Sequence, residues 1–136
     1  MLNHIHLLGK AFLRNPPRDE AIANKWLTEM VEKIGMKVLM GPYSVDCQTP
    51  GNEGVTGAVV IETSHGTFHS WHNVERPFLA MDVYSCIGFE ALTVLQHIDD
   101  FFGVDEATYM VIDRNAAMPE VLDKGWYRAG ELTSTF

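Results

Sequence analysis

Positive charge, long apolar runs and cysteine are all scarce in this chain, and each scarcity removes a class of function. Ten Lys and Arg stand against 18 Asp and Glu, a formal charge of −8 over 136 residues. The basic residues form no cluster, so a phosphate-binding surface for DNA or RNA is not expected, and a cationic small molecule suits the field better. No apolar run approaches the ~20 residues of a membrane span, and no membrane partner is expected. The start of the chain, Met1 to His6, lacks the positive region and apolar core of a signal peptide. Cysteine is limited to Cys47 and Cys86. Without a secretion signal the chain reads as cytoplasmic with both thiols reduced, although sequence alone leaves a disulfide between them open. Repeats and low-complexity tracts are missing too. An apolar fraction of 46% and a charged fraction of 21% argue against disorder. The length fits one domain, residues 1–136.

What is present is a succession of strand-like and helix-like patterns. Residues 2–8 alternate around Ile5 and Leu7, as a strand does. Asn15-Pro16-Pro17 reads as a helix start, with Asn15 as cap and proline in the first turn. Ile22, Trp26, Leu27, Met30, Val31 and Ile34 then form one apolar stripe, which Gly35 ends. Residues 36–41 predict a second strand, 42–54 a loop, 55–62 a third strand, 63–66 a tight turn, 67–71 a fourth strand and 78–84 a fifth. Residues 89–102 predict a second helix, with Leu92, Leu95, Ile98 and Phe102 inward and Gly103 as its stop; 108–113 predict a sixth strand. The tail, 114–136, has weak periodicity and is expected to be partly mobile. The order β-α-β-β-β-β-α-β predicts an α+β two-layer sandwich: a mainly antiparallel sheet with two helices on one face. The strands carry apolar residues on both parities, Val59 and Ile61 against Ala58 and Val60, Leu79 and Met81 against Phe78 and Ala80. Such strands should be buried on both faces, and a second copy is the simplest cover, which predicts a homodimer.

The densest polar segment is 62–72. Its three histidines suggest a metal, but on a strand His65 and His69 share one face while His72 takes the other. No carboxylate or cysteine stands at a familiar zinc spacing, and no metal is expected. Nucleophilic chemistry at Ser64, with His65 and His69 nearby, needs a base or a strained neighbouring carbonyl. On the residues alone the plainer reading comes first: Ser64, His65 and Gly66 build a turn. His4 and His6 read as surface or interface groups, and Trp26 as core. Phe68 and Phe78 suit either the core or stacking on a flat ring. Asp99-Asp100 reads as a solvated face or as a seat for a cation or polyamine.

The stretch 54–65, running Gly-Val-Thr-Gly through Glu62-Thr63-Ser64-His65, followed by His69-Ser70-Trp71 and then Asp82-Val83-Tyr84-Ser85-Cys86, resembles the bacterial and archaeal S-adenosylmethionine decarboxylase proenzymes. The motifs match closely over 54–86, and the element order extends the match over 2–113. The resemblance implies self-cleavage between Thr63 and Ser64, the serine becoming a pyruvoyl group. That group condenses with the substrate amine and withdraws electrons as carbon dioxide leaves. By the same carry-over, Thr56 and His69 assist processing, and Cys86 protonates the product carbon. A thiol suits that task because thiols stay mostly protonated near neutrality. Without the resemblance, Cys86 reads as a small buried hydrophobe. Phe68, His65 and Glu75 are expected on the substrate side, Glu75 by its alignment with the family's Glu, and the resemblance also points to a homodimer.

The departures from the family pattern are local. Thr63 stands where the family has Glu, with Glu62 one place earlier. Gly66 replaces a bulky aliphatic residue. The family's Trp-Pro-Glu becomes Trp71-His72-Asn73-Val74-Glu75, two residues longer. These changes bear on the substrate. S-adenosylmethionine leads, a basic amino acid such as arginine or ornithine follows, and an unprocessed, non-catalytic homologue is the third reading.

Overall fold

In the computed structural model, residues 3–136 are described; Leu2, expected at the start of the first strand, lies outside the described residues. The elements are β1 (Ile5–Leu13), α1 (Glu20–Lys33), β2 (Val38–Cys47), β3 (Gly54–Ile61), β4 (Ser64–Trp71), β5 (Phe78–Ser85), α2 (Ala91–Phe102), β6 (Val104–Asp113), β7 (Glu120–Arg128) and β8 (Glu131–Ser134). All strand pairs are antiparallel, in the order β2-β3-β4-β5-β1-β6-β7-β8. Helix α1 packs on β2 and β3, α2 on β6 and β1, and the helices touch each other. This is the expected α+β two-layer arrangement, with eight strands in place of six. No helix among the described residues is long and apolar enough to cross a membrane.

Strand alternation sorts the side chains into two sets. Leu7, Ala11, Val55, Val59, Phe68, Leu79, Met81, Val83, Ala107 and Tyr109 face the helices and are buried. Trp26 of α1 is fully buried between the Phe68 and Phe102 rings, with T-shaped centroid separations of 5.2 and 5.6 Å. Gly57 and Gly66 both lie under this layer. A Cβ on Gly57 would stand 2.7 Å from the Tyr43 carbonyl oxygen and 2.9 Å from the Phe68 ring; one on Gly66 would stand 3.2 Å from Met30 Cε. The glycine that departs from the family pattern at 66 therefore makes room for Met30 in the core.

Several boundaries differ from the sequence expectation. Helix α1 is capped not by Asn15 but by Asp19, whose carboxylate accepts from Ile22 N–H at 2.8 Å. Asn15 and Arg14 instead donate their backbone N–H groups to Phe102 and Gly103 carbonyls, which holds this segment out of the helix. Gly35 does terminate α1, at φ +78°. Strand β2 continues past Pro42 and takes up the first part of the expected loop, to Cys47. It is an edge strand, where a missing N–H is tolerated, and its register shifts around this point. Leu92 is exposed on α2, and the buried face includes Val94 and His97.

The tail expected to be partly mobile forms β7 and β8. Periodicity missed it because few of its side chains pack on the core, Tyr127 fully buried and Leu132 partly. The Tyr127 ring is 1% exposed, and its hydroxyl donates to Asp99 Oδ2 at 2.7 Å. Burial and the Asp99 charge push the Tyr127 hydroxyl well above the ordinary phenol range. Tyr109 beneath it is pushed up to about 12 by burial and by its hydrogen bond to Asp123. Asp99 also accepts from Val104 N–H at 2.7 Å, so it is a structural acceptor, whereas Asp100 is exposed.

His97 is 1% exposed between the helices. Its Nε2–H donates to the Trp26 carbonyl at 2.9 Å, and Nδ1 has no partner. Burial holds this imidazole below its ordinary range, with Lys33 adding in the same sense, although Trp26 O, Glu29 and Asp100 oppose. The folded-state pKa thus lies below the unfolded value of ~6.5. The unfolded chain takes up the proton first, so stability is full above ~6.5 and declines as the pH falls below it. Urea denaturation at pH 7.5 and 5.5 should show this loss, and His97→Gln should reduce the difference between the two.

Candidate active site

The β3–β4 connection is a two-residue turn, Glu62–Thr63, with Ile61 paired to Ser64 across it. Ser64 is therefore the first residue of β4, rather than part of a longer 63–66 turn. Ser64 also pairs with Ser85, so the next residues outward, Thr63 and Cys86, extend the β4–β5 ladder by one step. The Thr63 carbonyl accepts the Cys86 N–H at 3.0 Å. The buried Ser85 hydroxyl donates to Thr63 Oγ1 at 3.0 Å and accepts from Ile87 N–H at 3.0 Å. Thr63 Oγ1 in turn donates to Met36 Sδ at 3.2 Å. Both the carbonyl and the side chain of Thr63 are thus fixed by residues that follow from β5, and the Thr63–Ser64 peptide lies against the backbone of Cys86. The two cysteines are unpaired.

The open face of the sheet carries a cluster that no single segment of sequence contains. Asp82 of β5 accepts from Thr67 Oγ1 at 2.7 Å, from His6 Nε2 of β1 at 3.2 Å, and lies 3.5 Å from His65 Nε2 of β4. His65 Nδ1 in turn lies 3.5 Å from Ser64 Oγ. His6 stacks on Tyr84 at 5.5 Å, Arg114 lies over the same Tyr84 ring, and His4 reaches the Tyr84 hydroxyl at 2.8 Å. His6 and His4, expected as surface or interface groups, are half-buried members of this network. Reading the sequence for metal ligands within 62–72 missed His6 and Asp82. The signal was their shared parity, but strand order had to place β4, β5 and β1 side by side.

The ligand atoms of His6, His65 and Asp82 lie within 4.8 Å of one another. The donor pattern favours hydrogen bonding over a cation. Arg114 Nη1 donates to His6 Nδ1 at 3.2 Å, which leaves the His6 proton on Nε2, pointing at Asp82. A metal on Nε2 would force that proton onto Nδ1, against the guanidinium.

Other expected site residues lie apart from Ser64. Thr56 and His69 form a close pair at 2.6 Å across β3 and β4. The Thr56 hydroxyl donates to the Phe68 carbonyl at 3.0 Å, which makes His69 Nδ1 the donor to Thr56 and leaves Nε2 free to accept. This pair is five residues along β4 from Ser64, roughly 16 Å, and on the opposite parity. Glu75 is exposed in the β4–β5 connection, at the other end of both strands from Ser64. Phe68, assigned to the substrate side, is corrected: it is fully buried under Trp26, because its parity on β4 is the helix-facing one.

The family model described as S-adenosylmethionine decarboxylase matches residues 11–115, more than three quarters of the chain. A search of curated proteins finds no match.

Ser85→Ala should remove the group that ties Thr63 to Ile87 and leave the Ile87 N–H to solvent, costing about 0.5 to 1.5 kcal/mol in urea denaturation. Phe68→Ala should cost more, about 3 to 5 kcal/mol, through a cavity beneath Trp26.

Proposed function

The chain belongs to the S-adenosylmethionine decarboxylase family, a pyruvoyl-dependent decarboxylase family, and on that premise we propose that it cleaves itself between Thr63 and Ser64 and then decarboxylates S-adenosylmethionine, supplying aminopropyl groups for spermidine synthesis. The observation that carries the self-cleavage reading is the Cys86 N–H held 3.0 Å from the Thr63 carbonyl oxygen. Attack by Ser64 Oγ turns that oxygen into an oxyanion, and a preorganised N–H at that position stabilises the charge as it forms. The residues fit a serine-derived pyruvoyl group: Ser64 follows a tight turn, half-exposed, with its upstream carbonyl already polarised. When formed, the group supplies an electron sink for loss of carbon dioxide. Cys86 stands beside the same peptide and serves as proton donor to the product carbon. Its unpaired thiol suits a reducing, cytoplasmic setting.

The Thr56–His69 pair enters this reading through a second copy of the chain. At roughly 16 Å along a regular strand it cannot serve the Ser64 of its own chain. The open sheet face exposes Tyr43 and Val45 and carries a groove of about 440 Å³ lined by Leu8, Lys10, Met110, Lys124 and Trp126. Two copies packed through this face would bury well over about 1,000 Å², the scale of a stable interface. They would also carry His69 of the partner subunit towards Ser64. His69 then supports the later proton transfers of processing with its free Nε2.

Intact mass spectrometry of the purified wild type should give two fragments split after Thr63, and Ser64→Ala should remain whole and inactive. A wild type that stays whole would favour the non-catalytic homologue. Carbon dioxide release should follow with S-adenosylmethionine; release from arginine or ornithine instead would move the substrate to a basic amino acid. Co-expressing Ser64→Ala with His69→Ala should restore cleavage of the His69→Ala chain, because one of the two composite sites is then complete. Cys86→Ser should still cleave but turn over roughly 10²-fold more slowly, the usual scale for loss of a general acid.

A further inference from the structure

We propose that His65, with the Asp82 carboxylate beside it, is the base that takes the Ser64 hydroxyl proton in self-cleavage. The proposal rests on the self-cleavage reading and adds to it the identity of the group that starts the reaction. A serine hydroxyl is a poor nucleophile until a neighbouring base removes its proton. His65 is the titratable side chain placed against Ser64 Oγ, with Nδ1 at 3.5 Å, a reach that tightens readily from a resting geometry. Its other nitrogen faces Asp82 Oδ1 at 3.5 Å, and the carboxylate is itself fixed by Thr67 at 2.7 Å and His6 at 3.2 Å. With the carboxylate on the Nε2 side, the tautomer that carries its hydrogen on Nε2 leaves Nδ1 free to accept from the serine. This is the division of labour of a Ser-His-Asp triad, assembled here within one sheet. Asp82 acts through His65 and is a positioning residue. Thr67 and His6 position Asp82 in turn.

The step balances without any co-reactant. Ser64 Oγ loses its proton to His65 Nδ1 and forms a bond to the Thr63 carbonyl carbon. The π electrons move onto the carbonyl oxygen, where Cys86 N–H holds them. On collapse the Thr63–Ser64 C–N bond breaks, and the departing Ser64 nitrogen takes the proton back from His65. The product is an ester between Thr63 and Ser64 Oγ, and both His65 and Asp82 return to their starting states. During the step the imidazolium lies against the Asp82 carboxylate, which stabilises its charge.

The side chains around His65 are few. Asp82 and Tyr84 face it from β5, and His6 from β1 at a ring separation of 6.2 Å, with Arg114 against the far side of His6. Two imidazoles therefore share the site, and the test must separate them. Cleavage of the full-length chain, freshly translated in vitro, is followed by gel over time from pH 5 to 8.5. In the wild type the rate should rise with pH, because only the unprotonated base can accept the serine proton. His65→Ala and His65→Gln should slow cleavage by roughly 10²-fold and flatten the profile, the general-base scale. Added imidazole should speed His65→Ala and leave the wild type unchanged, which a merely structural role would not produce. Asp82→Asn should slow cleavage by at least about tenfold while the thermal transition of the whole chain persists. His6→Gln should keep the pH profile.

Undiminished cleavage in both His65 variants would overturn the proposal. So would a profile lost with His6→Gln and kept with His65→Ala, or cleavage abolished by EDTA, which would make the cluster a metal site. A wild type that never cleaves would instead overturn the self-cleavage reading on which the proposal rests.

Discussion

The register of β4 between β3 and β5 is the constraint on which the rest of this structure depends. It is fixed at one end by the two-residue turn at Glu62–Thr63 and in the middle by Phe68, locked edge-on beneath Trp26. A slip of one residue would turn Phe68 out to solvent and drive His65, Thr67 and His69 into the core, at the cost of a large apolar contact and several buried polar groups. With the register held, Gly66 and Phe68 lie against α1, and His65, Thr67 and His69 are presented on the open face. The chemistry-bearing residues are therefore placed by the packing of residues with no chemistry of their own.

The same register aligns Ser64 with Ser85 and lets the ladder run one step further, so that Thr63 meets Cys86. Here the fold and the proposed chemistry share a hydrogen bond. The N–H that would complete a strand pair is the one placed to hold charge on the Thr63 oxygen. Ser85 reinforces the arrangement by fixing the Thr63 side chain and the turn that follows β5. The substitution of Thr for the family's Glu at 63 fits this local design. A short hydroxyl side chain reaches Ser85 and Met36 within the half-buried turn, where a carboxylate would need other partners.

Elsewhere the structure turns apparent departures from the family pattern into packing. Gly66 accommodates Met30 beneath β4, and so has no contact with the open face. The longer segment after Trp71 lies in an exposed connection at the end of the strands remote from Ser64. Asp99, one of two acidic residues that read as a solvated pair, instead holds the hydroxyl of Tyr127 and the first N–H of β6. The open face, by contrast, keeps an apolar and aromatic character that the two helices do not cover.

The sequence by itself determined the local elements whose signal is periodic or conformational. The apolar stripe of α1, its stop at Gly35, the stop of α2 at Gly103 and the alternation of β3 and β5 follow from helix and strand spacing and from positive φ at glycine. It also marked Ser64 and Cys86, through motifs spaced along one stretch of chain. Tertiary structure decided what depends on neighbours distant in sequence. The tail became two strands because β7 paired with β6 and Tyr127 buried its ring with its hydroxyl on the half-buried Asp99. Phe68 became core rather than site because α1 placed Trp26 over it. His6, His65 and Asp82 became one cluster because β1, β4 and β5, separated along the chain, lie adjacent in the sheet. Parity along a strand is written in the sequence, but which strands stand side by side is set by the burial of the whole sheet against its helices.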